Sequence, residues 1–225
     1  MSGGEAQHNQ RQADTEGPLD AEMLRDYTLA TSGLLVRRVG GPSVKPYQPD
    51  GVWEAVAMPN SDTSKYQRDS GDALYRRSLY TFWKRTAPPA AMDIFNAPSR
   101  ENCTVRRERT NTPLQALAAL NDPQFTEAAR ALAEVALRQA KGDPQRALAA
   151  MAEKVLLRPL TLAEAAVISA TAADLESQFG ADPAAVKSYL AVGDRPMDPT
   201  LPGAQVAALA LVANQLANLD EALSK

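Results

Sequence analysis

From Thr112 onward, apolar residues recur three and four positions apart, and each recurrence opens on a helix-start signal. Thr112 followed by Pro113 predicts a capped helix running to about Leu120. Asp122-Pro123 repeats the signature and opens a helix whose inward face is Phe125, Ala128, Leu132 and Val135. Asp143-Pro144 starts another, carrying Leu148, Met151 and Val155. Thr161 with Glu164 has capping-box spacing and predicts a helix with Leu162, Ile168, Leu175 and Phe179 inward. Asp182-Pro183 opens a short helix, and a last one over about 203–223 carries Leu209, Val212, Leu216, Leu219 and Leu223. The C-terminal half therefore reads as a bundle of five or six helices over 112–223, without internal repeats.

The N-terminal half lacks that rhythm. Residues 1–17 are polar and aperiodic and read as a disordered leader. Leu19, Met23, Tyr27 and Ala30 form a helical stripe closed by Leu34, with Gly33 as a natural break. GGPSVKPYQPDG is loop sequence, because its glycines and prolines suit neither a helix nor a central strand. A short helical turn should carry Trp53 and Val56 inward. The aromatic run LYRRSLYTFWKR fits a helix or a strand, and its β-favouring residues predict a strand over about 77–85. Adjacent prolines exclude a continuous helix in the next connection, which Met92, Ile94 and Phe95 anchor. The expected architecture is mainly α: a single domain over 18–225, with a loop-rich half (18–111) holding at most a small sheet against the bundle (112–223).

Composition sharpens this picture in one place. Across 225 residues the net charge is −3, yet the stretch from Arg76 to Arg109 holds eight basic residues against three acidic ones. The remainder is left with 16 basic and 24 acidic residues. An arginine-rich centre on an acidic body points to an anion site or an ion-pair network, not to general nucleic-acid binding. No apolar run is long enough to span a bilayer, and the N-terminus lacks the apolar core of a signal peptide.

YRRSLYTFWKRT, FNAPSRENCTVRRERTNTPLQALAALNDPQFTEAAR and the closing NLDEALSK, with GGPSVKPYQPDGVWEAVA and RPLTLAEAAV, resemble a planctomycete-type domain of unknown function, domain-of-unknown-function family 1553. The resemblance covers roughly residues 18–223. It implies the C-terminal module of a large exported protein with cytochrome-c-like domains, so that upstream domains or a protein partner are expected as binding partners. The chain enters partway into the family domain, and the resemblance therefore implies a truncation that exposes apolar surface at the first helix and at Leu34, Leu35 and Val39. Any haem belongs to upstream domains. This chain has one cysteine and one histidine, far apart, and cannot form the Cys-x-x-Cys-His attachment.

The same scarcity limits catalysis. His8, the only histidine, sits in the leader, so a nucleophilic serine or cysteine lacks a histidine base. No metal site of the His/Cys kind can be built, and Asp69, Asp72 and Asp122 lack the spacing of a calcium loop. Asp93, Glu101 and Asp122 are carboxylates whose separation the sequence does not fix. Cys103, near Arg100 and Arg106, is either an activated thiol or a small buried filler.

Arg76, Arg77, Arg100, Arg106, Arg107 and Arg109 are the candidate ligand-binding residues, with Trp53, Tyr75, Tyr80 and Phe82 as stacking surfaces or core. In the structural alternative these arginines brace the loops through Glu101, Glu108, Asp122, Glu127 or helix-end carbonyls. In the functional alternative they form a bidentate cradle for carboxylate, sulfate or phosphate at the Thr112-Pro113 helix start. Three functions follow in order: a non-catalytic interaction or scaffold domain, a binding module for anionic polysaccharide, and an enzyme acting on such substrates.

Overall fold

A computed structural model describes residues 17–57, 61, 64–108 and 110–224. The expected disordered leader, His8 and Arg109 lie outside the described residues, apart from Gly17. Nine helices are present among the described residues: α1 Ala21–Ser32, α2 Ala90–Ile94, α3 Pro113–Asn121, α4 Pro123–Gln139, α5 Pro144–Leu156, α6 Leu162–Ala181, α7 Pro183–Leu190, α8 Gly203–Ala217 and α9 Asp220–Leu223. The fold is mainly α, as the pattern predicts.

The capping signals act as read. Thr112 and Gln115 form a reciprocal capping box on α3, and Thr161 and Glu164 form one on α6. The carboxylates of Asp122, Asp143 and Asp182 accept first-turn N–H groups of α4, α5 and α7, each with proline next in the chain. A side-chain acceptor at that position satisfies an N–H that the helix leaves unpaired, worth about 1 kcal/mol.

Helix α4 is the axis, packed by α8, α1, α5 and α3. Leu132, Ala133, Ala136 and Leu137 of α4 meet Leu148, Met151 and Val155 of α5 and Val206, Leu209, Ala210 and Ala213 of α8. The alanines on facing helices let the backbones approach closely. A second cluster sets Leu29 and Leu34 against Leu74, Tyr75, Ala128 and Ala131, fastening the loop-rich half onto α4. Tyr27 donates its hydroxyl to the Val155 carbonyl, joining α1 to the end of α5. The two ends of the described chain also meet: Pro18 bridges Ser224, and Leu19 N–H donates to Leu223 C=O at 2.7 Å.

Several expectations need correction. Residues 77–85 form no strand: Ser78–Tyr80 is a 3-10 turn, and only isolated bridges such as Val44 with Thr81 occur there. Within the segment, Asp26 of α1 accepts the Ser78 N–H at 2.7 Å, and the Tyr80 and Thr81 N–H groups close turns onto the Arg77 and Ser78 carbonyls, so these donors are not offered to a neighbouring strand. Arg25, buried on α1, holds the preceding residues through the carbonyls of Leu74 (2.7 Å) and Arg76 (2.8 Å). Helix faces also differ in phase. Leu24 and Leu29 are the buried face of α1, while Met23 and Ala30 are exposed. Val56 is exposed beside buried Trp53. Leu162 is 93% exposed, because position N1 of α6 faces away from α8. The helix expected over about 203–223 is interrupted at Asn218 into α8 and α9, and Leu219 between them is exposed. Leu34 is buried, so of the expected apolar patch Val39 stands out and Leu34 does not.

Candidate functional site

The described members of the arginine block face separate partners. Arg76 is buried outright; its guanidinium donates to the carbonyls of Pro42 (2.8 Å), Arg38 (3.2 Å) and Gly40, and lies 3.8 Å over the Tyr80 ring. Gly40 and Gly41 have φ of 77° and 88°, and the turn they make aims these carbonyls inward. Arg77 is exposed and reaches Asp26 at 3.4 Å. Arg100 lies 4.3 Å over the Trp83 ring, and Arg106 is exposed.

Arg107 makes a fork to Glu22 of α1, with N–O distances of 2.6 and 3.2 Å, and Asp20 lies 3.5 Å away. Burial acts to raise the Glu22 carboxyl, but the Arg107 hydrogen bond and the charges of Arg107 and Arg100 outweigh it and hold it below the ordinary value. Glu22 and Asp20 thus stand where the sequence alternatives placed Glu101 or Glu108.

The aromatic candidates divide as well. Trp53 is buried against Tyr66 and Phe82, with Lys84 over its ring. Tyr80 accepts from Gly40 N–H, and Tyr75 turns toward α4. Cys103 is exposed, not the buried filler of a packed loop. Asp122 caps α4 and Asp69 accepts from Lys45 N–H, so neither belongs to a common cluster. Among the described residues no group of three or more His, Cys, Asp or Glu is placed to hold a metal.

A buried charge network lies at the centre of the molecule. Glu127, Arg130 and Glu134 share one face of α4 and are 0%, 2% and 3% exposed in their side chains. Glu127 accepts from Tyr75 and Tyr47 hydroxyls, both at 2.9 Å, and from Arg195 N–H at 2.7 Å. Arg130 donates to Glu134 at 3.1 Å and to the carbonyl of Arg195 at 2.5 Å. Burial, with the adjacent Glu127 charge, pushes the Tyr47 and Tyr75 hydroxyls up, so both stay protonated donors. Burial also raises Glu134 against the pull of Arg130. Paired and hydrogen-bonded in this way, the charges are tolerated inside.

The Phe125–Val135 stripe does not mark Arg130 and Glu134, and the sequence singles out Glu127 only as a partner for the central arginines. The signal was nonetheless present: acid, base and acid at i, i+3 and i+7 amid alanines form a self-pairing row.

Above the network opens a cleft of about 510 Å³. Leu35, Val36 and Pro196 give it apolar walls, Tyr75 part of the floor, and Asp72, Asp194 and Arg195 its charged lining. The loop bearing Arg195 is tied across it, since Asp194 accepts from Gly71 N–H at 3.0 Å and pairs with Arg68 at 3.2 Å. Both Glu127 oxygens already accept hydrogen bonds.

No helix among the described residues is long and apolar enough to cross a membrane. No curated protein and no solved structure matches the chain significantly. Residues 5–172 match PSD1, described as a protein of unknown function (DUF1553). With most of its 225 residues matched, the chain belongs to the DUF1553 family.

Proposed function

We propose that the chain is a non-catalytic interaction and scaffold domain, the C-terminal module of an exported cytochrome-c-type multidomain protein. The observation that carries the first part is the use of the arginine block: Arg76 is consumed by loop carbonyls and Arg107 by Glu22. Guanidinium groups held this way brace loops against helices and are not presented to a ligand. The cytochrome context rests on the resemblance of the arginine-rich stretch and the closing helix to the family's C-terminal modules.

Binding of anionic polysaccharide is the second reading, supported by exposed Arg100 stacked on Trp83. Passage over immobilised dextran sulfate at about 50 mM salt separates the two, since polyanion binding is strongly salt-dependent. A scaffold elutes unretained, and its Arg107→Ala variant melts lower. Salt-dependent retention that Arg100→Ala or Arg107→Ala abolishes at unchanged melting temperature overturns the scaffold reading.

A further inference from the structure

We propose that the cleft above Glu127 binds a small organic carboxylate, with its acid group on Arg195 and its apolar part on Leu35, Val36 and Pro196. The volume, about 510 Å³, lies within the range of small-molecule sites.

The buried charges position one residue of the loop above them. A triad such as Glu127, Arg130 and Glu134 adds no stability that an apolar trio of similar volume would lack. It does fix a loop. Arg195 N–H donates to Glu127 and Arg195 C=O accepts from Arg130, so both backbone polar groups of one residue are anchored in the interior. Asp194 N–H donates to the Tyr47 hydroxyl at 2.7 Å, and that hydroxyl is itself held by Glu127. The Arg195 backbone is thereby pinned, and Arg195 is an exposed residue of the cleft lining. Its guanidinium has no hydrogen-bond or ion-pair partner among the described residues and meets Glu134 only as a charge at a distance.

Arginine's planar fork matches a carboxylate in two parallel hydrogen bonds. Asp194, the second carboxylate of the lining, is already engaged by Arg68 and the Gly71 N–H, so Asp72 on the rim bears on the charge of the ligand. A sulfate- or phosphate-rich polyanion would be repelled there, whereas a monoanion with an apolar body keeps its single charge at Arg195. The wall suits that body, because Leu35 and Val36 pack onto the Leu29–Leu34–Leu74 cluster and remain half-exposed. The proposal is independent of the scaffold reading: it concerns a different face and none of the arginines between Arg76 and Arg109.

Hexanoate is the probe, titrated into the full chain and followed by NMR at the Leu35 and Val36 methyls and the Arg195 Nε–H. A ligand of this size should saturate at low millimolar concentration, on the order of 1–10 mM. Acetate, lacking the tail, should need about tenfold more. Arg195→Gln keeps the backbone anchors, so it should weaken hexanoate about tenfold with the melting temperature unchanged. Absence of saturable shifts by about 20 mM overturns the proposal, as do equal shifts in Arg195→Gln. Tighter binding of hexylamine, through Asp72, or of inorganic phosphate at the same methyls overturns the carboxylate assignment.

Discussion

The backbone of Gly193 rests against the Glu127 side chain so closely that a Cβ on Gly193 would stand 2.4 Å from the Glu127 carboxyl carbon. Its φ of +96° is also outside the range that side-chain-bearing residues ordinarily adopt. Gly193→Ala should therefore destabilise by about 3 kcal/mol or more, the joint result of strain and a displaced buried carboxylate. Urea unfolding measures it, and a loss under about 1 kcal/mol would mean that the loop does not sit on Glu127.

Within the same network, Tyr75→Phe removes one of the donors to Glu127 and should cost about 1–2 kcal/mol. Glu127→Gln removes the charge that faces Arg130 and should cost about 3 kcal/mol. The double variant should lose clearly less than the sum, since both changes damage the same buried carboxylate. Strict additivity in urea titrations would show that Tyr75 and Glu127 are uncoupled.

Arg107 and Glu22 form a pair at the surface, with side chains 34% and 22% exposed. A double-mutant cycle of Arg107→Ala and Glu22→Ala should give a coupling of about 0.5–1 kcal/mol. Repeating the cycle at about 1 M salt should shrink it, as expected of a partly hydrated pair. A coupling of zero at low salt would remove the brace assigned to Arg107.

The box that opens α6 predicts a pH response. Hydrogen bonds from Arg158 and from the Thr161 backbone and hydroxyl lower Glu164 from 4.5 to about 2. A carboxylate lowered in the folded state contributes fully above its unfolded pKa and loses that contribution as pH falls through the folded value. Stability should thus decline between about pH 4.5 and 2, and Glu164→Gln should flatten that part of the curve. Chemical unfolding at pH 6, 4 and 3 tests this; equal slopes in both proteins would show that Glu164 is not held by Arg158.

Two leucines that the apolar pattern treats alike should behave oppositely. Leu137 is wholly buried between α4 and α5, and Leu137→Ala should cost about 2–5 kcal/mol. Leu162 sits exposed on the first turn of α6, and Leu162→Ala should stay within about 0.5 kcal/mol of the parent. Comparable losses would mean that the face of α6 is assigned to the wrong side.

What the sequence made legible is whatever is settled within a few residues. Thr112, Asp122, Asp143, Thr161 and Asp182 cap helices by reaching two or three positions ahead, and each was readable as such. Partners remote in sequence were not. The expected strand at 77–85 gives way to a turn whose Ser78 N–H is taken by Asp26, some fifty residues upstream. Glu127 is bound by Tyr47, Tyr75 and Arg195, and no local pattern links those positions. That the arginines could brace the fold was readable from their density, but the acid that Arg107 meets, Glu22, lies on the first helix.

The meeting of Pro18 with Ser224 makes the described chain a nearly closed ring. A ring can be cut elsewhere. Joining these two ends by a short flexible linker and opening the chain at the exposed Lys141–Gly142 turn, between α4 and α5, leaves every helix uncut. Such a circular permutant separates the order of synthesis from the order of packing, since α5 would then be made first and its neighbour α4 last. If it folds to the same structure, assembly around α4 depends on the final contacts and not on the direction in which the chain is read.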